Sequence, residues 1–352
     1  MKIAIDCRYA GNSGIGTFLE NILPYIVRHS EVNFLLIGDE TYLSKYRERE
    51  NCEILHCYIR PFSLKGQLGF PTRYVNKCEL FFTPNFDIPL GIHIPVFSTI
   101  HDVVFFDYPQ YYSPLYRLIL RAFMVRAINK SVKVFTVSSF SKERIVFHFQ
   151  NGEKIKVVSN GVKSQLISYA CNHKSDEIKK KEGVVFLGNL KCYKGVETLV
   201  EAFNELQSRG IRKTLTIIGN INFRTRDNKL ISKIQSLKSS IRFKSNASDK
   251  EVFDIISQSE VLVSPSLYEG FGIPPLEALY LGTNVIISDI PVYKEIYKGL
   301  PVTYFQAGNP IDLAKKIHCH PKYSLHIQKK ILSLYNYEKT AQLIFKNFFV
   351  NV

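Results

Sequence analysis

Two glutamates, Glu269 and Glu277, stand eight residues apart around Gly270-Phe271-Gly272-Ile273-Pro274-Pro275. Carboxylates accept paired hydrogen bonds from vicinal hydroxyls, so a sugar or a ribose is a natural ligand for them. Gly270 and Gly272 allow positive φ and a close backbone approach. Pro274 and Pro275 suit a first helical turn, where a missing N–H costs little. The segment follows an apolar run at 261–263 and opens a helix pattern at 274–281. It therefore delivers loop amides and a helix N-terminus to one place, a setting that favours an anion such as phosphate. A plain strand–turn–helix with one capping acid is the simpler reading. It leaves the coincidence of glycines, prolines and two acids unexplained.

Two further groups could do chemistry. Gly11-Asn12-Ser13-Gly14-Ile15-Gly16 follows the first apolar run. Its G-x-x-G-x-G pattern differs from the dinucleotide fingerprint G-x-G-x-x-G. Asp39 stands near the spacing of a ribose acid, but a dehydrogenase would leave the Glu269–Glu277 segment without a role. His101-Asp102 ends the apolar run 95–99, and the carboxyl ends of strands are where open α/β sheets collect ligands.

The elements that must position these residues alternate. Strand-like runs at 2–6, 33–37, 80–83, 95–99, 132–137 and 156–158 are separated by helix patterns at 15–28, 114–129 and 141–149. The pattern breaks in a polar, lysine-rich stretch and restarts at Val184. Strands are expected at 184–188, 214–218, 241–243, 261–263, 285–287 and 302–304. Helices are expected at 196–207, 228–238, 249–258 and 274–281, with a last one at 333–348. This α/β alternation predicts two parallel-sheet domains. We place a first domain at 1–165, a linker at 166–182, a second domain at 183–332 and a closing helix at 333–352. Two such domains facing each other create a cleft, a common place for a ligand.

The Glu269–Glu277 segment resembles the E-x7-E signature of retaining GT-B glycosyltransferases, and the chain as a whole resembles glycosyltransferase family 4. The likeness runs in order through the glycine-rich loop, Thr99-Ile100-His101-Asp102, Val137-Ser138-Ser139-Phe140-Ser141-Lys142 and Val158-Ser159-Asn160-Gly161-Val162. It continues through Gly188-Asn189-Leu190-Lys191-Cys192-Tyr193-Lys194-Gly195 and ends at Tyr335-Asn336-Tyr337-Glu338-Lys339-Thr340-Ala341. The resemblance implies two Rossmann-like domains, with the last helix crossing back over the first. It implies transfer of a hexose or deoxyhexose, mannose or rhamnose first, from a nucleotide diphosphate with retention. His101, Glu269 and Lys194 would be catalytic. Gly14, Gly16, Lys191, Gly270, Phe271, Gly272, Ile273 and Glu277 would bind the donor, Glu277 at the ribose. Two positions depart from the family: Asn189 stands where an arginine is usual, with Lys191 as the substitute cation, and Tyr337 stands where tryptophan is common. No D-x-D pair is present, so the expectation is metal-independent transfer without a cofactor, in which Lys194, amides and helix dipoles replace a cation. A sugar-nucleotide epimerase of the same fold is the nearer alternative.

Composition bounds the rest. The 352 residues carry a formal charge of +15, with 22% charged and 45% hydrophobic residues, an ordinary globular balance. No run approaches the ~20 apolar residues of a membrane span, and the N-terminus reads as a strand rather than a signal peptide. Seven cysteines without a repeated spacing point to reduced thiols in a cytoplasmic protein and no metal site. The basic excess calls for a polyanionic partner. A nucleic-acid-binding protein would use it, but no RNP-like motif, zinc finger or contiguous basic run is present. A glycan or lipid-linked glycan acceptor at an anionic membrane surface fits better. Residues 111–133 interleave Tyr111, Tyr112, Tyr116 and Phe123 with Arg117, Arg121, Arg126, Lys130 and Lys133.

Overall fold

The computed structural model describes residues 1–11, 13–173, 183–219, 240–321 and 327–349. The helix expected over 228–238 and the lysine-rich residues 174–182 lie outside them. The chain forms two compact units: Met1–Asn160 with the residues from Asn336 onward, and Gly161–Tyr335.

Among the described residues, the first unit holds a seven-stranded parallel sheet. Its strands are β1 (Lys2–Asp6), β2 (Asn33–Gly38), β3 (Cys52–His56), β4 (Leu80–Phe82), β5 (Val96–Thr99), β6 (Ser131–Thr136) and β7 (Ile155–Val157), in the order β3-β2-β1-β4-β5-β6-β7. The alternation of side chains along a strand explains why these runs are apolar throughout. Ile3, Ile5, Phe34, Leu36, Leu80, Phe82, Phe97 and Phe135 face one core, which the helices Ser13–Ile26 and Tyr337–Phe348 cover. Ala4, Leu35, Ile37, Phe81, Val96 and Val134 face the other, closed by the helix Pro114–Lys130 through Leu120, Met124, Ala127 and Ile128.

The second unit repeats the plan with β8 (Val184–Leu187), β9 (Leu215–Ile218), β10 (Ile241–Lys244), β11 (Val261–Ser264), β12 (Asn284–Ser288) and β13 (Thr303–Phe305), ordered β10-β9-β8-β11-β12-β13 among the described residues. The helices Val196–Ser208 and Pro310–Cys319 pack on one face through Leu199, Phe203, Leu313 and Ile317. In both sheets the first strand is central. The chain adds two strands on one side and then returns to the other. The reversal leaves a crevice beyond the carboxyl ends of β1 and β4, and of β8 and β11, where ligands of open α/β sheets sit.

Besides short helices such as Leu64–Leu68 and Val104–Asp107, the structure departs from the sequence reading in four main respects. Strand β3 has no counterpart there, because an edge strand that pairs with β2 alone is half exposed and lacks a continuous apolar run. The stretch read as linker opens with the helix Ser164–Asn172, anchored by buried Leu166. The helices Pro291–Ile296 and Pro310–Cys319 were not anticipated. The single closing helix is two, Gln328–Leu334 and Tyr337–Phe348. Tyr335 is extended between them, and the Asn336 side chain caps the second by accepting from the Glu338 amide.

Tyr337, Ala341, Ile344, Phe345 and Phe348 belong to the core of the first unit, although they come last in sequence. Thr340 Oγ1 donates to the Ser159 carbonyl and fastens the helix to the end of that unit's main segment. Ile344 is fully buried. We expect Ile344→Ala to cost about 2–5 kcal/mol, read as a lower urea midpoint for the first unit. An unchanged midpoint would mean that this helix does not stabilise the unit.

Candidate active site

The loops after β8 and β11 meet because their strands are neighbours in the sheet. The first loop makes a one-turn 3-10 helix, Cys192–Lys194, and ends at Gly195 with φ +68°. A side chain on Gly195 would collide with the Pro265 carbonyl of the second loop. The Leu267 amide donates to the Tyr193 carbonyl at 2.7 Å and binds the loops together. Lys194 Nζ then lies 2.6 Å from Glu269 Oε1. The same oxygen accepts from Ser266 Oγ at 2.9 Å and from the Tyr293 hydroxyl at 3.5 Å. Tyr293 is fully buried, and its hydroxyl also shares a 2.6 Å hydrogen bond with Ser264 Oγ. Its acidity is strongly suppressed, first by burial and then by the Glu269 charge.

Lys191 and Lys194 both direct their ammonium groups at the Tyr193 ring, at 5.6 and 5.8 Å. Two cations therefore share one aromatic ring, and one of them, Lys194, also pairs with Glu269. Gly272 has φ +86°, and a Cβ there would strike the Tyr293 ring. It opens the helix Ile273–Tyr280. With prolines at the second and third positions, Ile273 is the residue of this first turn's opening triplet that keeps an N–H. The Phe271 side chain is buried edge-on against Tyr335, so its contribution to a ligand is its backbone.

Glu277 lies one turn further along, 2% exposed, with Oε1 lacking any hydrogen-bond partner. Lys163 Nζ is 3.7 Å from that oxygen, an ion-pair distance too long for a hydrogen bond. Burial raises the Glu277 carboxyl above its usual range; Lys163 opposes that and Asp249 adds to it. A buried carboxylate with an unfilled acceptor is suited to a ligand hydroxyl.

The first unit carries the other group. His101 Nε2 lies 2.9 Å from the Pro84 carbonyl, an atom that can only accept. The ring therefore carries its proton on Nε2 and presents Nδ1 as an acceptor. Burial lowers its pKa to about 4, against the smaller opposing effect of the Pro84 bond. At neutral pH it offers a lone pair and no charge. Asp102 Oδ1 accepts from the Val104 amide at 3.2 Å, which makes it a local cap. Phe18, on the helix Ser13–Ile26, sets its ring edge-on to His101 at 5.1 Å. That contact links the glycine-rich loop to the histidine, because Gly14 and Gly16 lie in the first turns of the same helix. Gly14 is exposed with open space about it. Gly16 is buried, and a Cβ there would sit 2.5 Å from the Tyr9 carbonyl, so it serves packing.

Sequence reasoning missed Lys163, Asp249, Ser266 and Tyr293. It also missed the buried pair of Arg8 and Asp6 at the carboxyl end of β1, with contacts of 2.8 and 2.7 Å. Lys163 had a signal, since it follows Ser159-Asn160-Gly161-Val162 directly. Ser266 stands three residues before Glu269, whereas Asp249 and Tyr293 are ordinary residues that only the fold brings near Glu277 and Glu269.

Comparison with known proteins bears on the fold and the family. A family model for glycosyl transferases group 1 matches residues 171–319, and one for Glycosyltransferase Family 4 matches residues 80–166. The O-antigen chain mannosyltransferase RfbU of Salmonella typhimurium is 29% identical over 228 residues, 64% of this chain and 60% of that protein. The serotype-specific mannosyltransferase WbdA of Escherichia coli is 28% identical over 46% of this chain and 20% of its own length. The chain thus spans less than two thirds of these relatives. The O-antigen biosynthesis glycosyltransferase WclY of Escherichia coli is 23% identical over 95% of this chain and 93% of that one. Among solved structures, Anabaena HepE in complex with UDP and glucose superposes with a TM-score of 0.73 at 17% identity, covering 99% of both chains. Two parallel-sheet domains with this strand order define the GT-B class of fold. Within that class, the chain belongs to the group 1 and family 4 glycosyltransferases.

A neutral His101 is checkable. Its stabilising contribution is present above the unfolded-state value near ~6.5 and is lost as pH falls toward about 4. In an NMR titration, we expect one histidine ring to stay neutral to about pH 4, and His101→Gln to remove that resonance. A His101 ring that titrates at an ordinary value would contradict the assignment.

Proposed function

We propose that this chain transfers a hexose or deoxyhexose, with retention, from a nucleotide diphosphate sugar to a glycan or lipid-linked glycan in surface polysaccharide synthesis. The observation that carries this reading is the clasp of Lys194 and Glu269 between the loops after β8 and β11, at a crevice built for phosphorylated ligands. The donor's diphosphate exchanges places with Glu269 as the partner of Lys194, and Lys191 adds a second cation. Glu269, freed from Lys194, accepts hydroxyls of the donor sugar. Glu277 accepts the ribose hydroxyls with its unfilled oxygen. The backbone of Phe271, Gly272 and Ile273 supports sugar and phosphate. We assign the Nδ1 lone pair of His101 to a hydroxyl of the reacting sugar.

Both carboxylates are thereby engaged in binding, whereas double displacement needs one as a nucleophile at the anomeric carbon. The transfer we favour is front-face: the bond from the anomeric carbon to the leaving phosphate oxygen breaks, the acceptor hydroxyl oxygen bonds to the anomeric carbon from the same side, and the phosphate takes that hydroxyl's proton. Lys191 and Lys194 stabilise the charge of the leaving diphosphate, so the step requires no metal in this reading. Mannose and rhamnose are the sugars we place first; the names of RfbU and WbdA support mannose. A thermal-shift panel of UDP, GDP, dTDP and their sugars tests this. One base should stabilise the protein, by about 2.7 kcal/mol at a hundredfold excess over Kd. Glu277→Gln should weaken that nucleotide, and the product's anomeric coupling should match the donor's. No saturable nucleotide binding, or an inverted product, would defeat the proposal.

The anionic-membrane contact rests on the helix Pro114–Lys130. No helix among the described residues is long and apolar enough to cross a membrane. Beyond its buried stripe, this helix exposes Leu115, Leu118, Ile119, Ala122 and Val125, an i, i+3, i+4 pattern. Phe62 touches Phe123 of the helix and belongs to a segment that exposes Tyr58, Leu64 and Leu68. Arg60, Lys65 and Arg121 are exposed around this apolar surface, which favours an anionic bilayer over a neutral partner. Arg126 donates to the Ile88 and Pro89 carbonyls and serves the fold instead. Because the chain contains no tryptophan, Leu118→Trp and Leu64→Trp give single reporters. Their emission should move to shorter wavelength with phosphatidylglycerol vesicles, less so in high salt, and stay put with phosphatidylcholine alone. No shift with anionic vesicles would remove the membrane from the proposal.

A further inference from the structure

Glu277 is a buried acid that must be ionised to accept two ribose hydroxyls, so something must hold its charge. The cation in place is Lys163, on the segment that precedes the helix Ser164–Asn172. Its ammonium lies between two carboxylates, 3.7 Å from Glu277 Oε1 and 3.3 Å from Asp249 Oδ1. The two acids differ sharply in setting: Glu277 is 2% exposed and Asp249 56%. Asp249 is the first residue of the helix Asp249–Gln258, whose start is fixed independently by the reciprocal Ser248–Glu251 cap. Phe253 of that helix lies 5.9 Å from the ammonium and shields it on one side. Beyond these groups, Asp254 accepts from the Tyr169 hydroxyl at 2.5 Å, and Tyr280 interacts electrostatically with Cys171. Lys163 and Asp249 are the charged groups that act on Glu277.

We infer that Lys163 is a positioning residue for nucleotide binding: it keeps Glu277 ionised and oriented, and Asp249 competes with Glu277 for its ammonium, so the three side chains set the pH below which the nucleotide is released. This rests on the assignment of Glu277 to the ribose. The geometry has a direction built into it. Lys163 favours the charged form of Glu277, while Asp249 disfavours it both by its own charge and by drawing the ammonium away. Because burial already raises the Glu277 carboxyl, nucleotide binding weakens as pH falls through that raised value. Loss of the lysine should move the weakening to higher pH, and loss of the Asp249 charge should move it to lower pH. A residue that merely supports the fold would not give opposite signs.

The test is isothermal titration of UDP, GDP and dTDP into the full chain between about pH 5 and 8, using whichever binds. Lys163→Met should raise the acid midpoint of binding by about one unit, a tenfold weaker affinity on the acid side. Asp249→Asn should lower it, and Lys163→Arg should restore most of the wild-type profile. Lys163→Met added to Glu277→Gln should cost nothing beyond Glu277→Gln alone. If Lys163→Met does not fold, Asp249→Asn and Lys163→Arg still decide the sign. Three failures are separable. No nucleotide binding by the wild type would sink the glycosyltransferase reading. Binding that Glu277→Gln leaves intact would sink the ribose assignment. Binding that Glu277→Gln weakens, with a midpoint unmoved in both Lys163→Met and Asp249→Asn, would overturn the role of Lys163.

Discussion

The contact on which the candidate site depends is the join between the loops after β8 and β11. It includes the hydrogen bond from Leu267 to Tyr193 and the ion pair of Lys194 with Glu269. Both exist because Gly195 has no side chain where the Pro265 carbonyl passes. The parallel pairing of β8 with β11 puts the two loops side by side. The groups we assign to phosphate and sugar in this unit follow from that join: the two lysines over Tyr193, the carboxylate of Glu269, and the start of the helix that carries Glu277.

Burial gives these charges their character. Tyr293, Ser264 and Ser266 surround the Glu269 side with hydroxyls, so the carboxylate is held by neutral donors as well as by Lys194. Glu277 has less help, with one ammonium beyond hydrogen-bond reach and one oxygen unfilled. In the first unit, burial acts on a base instead. It turns His101 into a neutral acceptor whose orientation the Pro84 carbonyl fixes. The same physical cause, loss of water around an ionisable group, thus strips charge from a histidine and leaves an acid in need of a counter-ion.

The basic surplus is spread over the whole chain. Residues 1–165 carry 20 Lys and Arg against 14 Asp and Glu, and the remainder carries 26 against 17, so neither half is neutral. Lys191, Lys194 and Lys163 account for a small part of it. In the sequence, residues 111–133 looked like a basic, aromatic stretch. The helix Pro114–Lys130 proves apolar on two sides, one buried in the core and one exposed. Periodicity could not separate the sides, because an apolar residue reads alike whether it faces a core or water.

Most of the fold was legible in the chain because buried parallel strands are continuous apolar runs and their helices have a different period. Val184–Leu187, Val261–Ser264 and Asp249–Gln258 lie within a residue or so of where the pattern put them. Strand β3 escaped because its exposed edge relaxes that pattern, and the closing helix was read as one because the Asn336 cap interrupts no periodicity. Glu269, Glu277, Lys194 and His101 were legible because glycine, proline and charge at fixed local spacing have local causes. Lys163, Asp249 and Tyr293 were not. They lie 114, 28 and 16 residues in sequence from Glu277, and nothing local marks them. The sequence by itself determined the alternation of elements and the glycine-rich, charged loops of the candidate site. Only the tertiary structure decided which charges are buried, and which partners hold them, because burial and pairing are set by strands and helices that meet across the sheet.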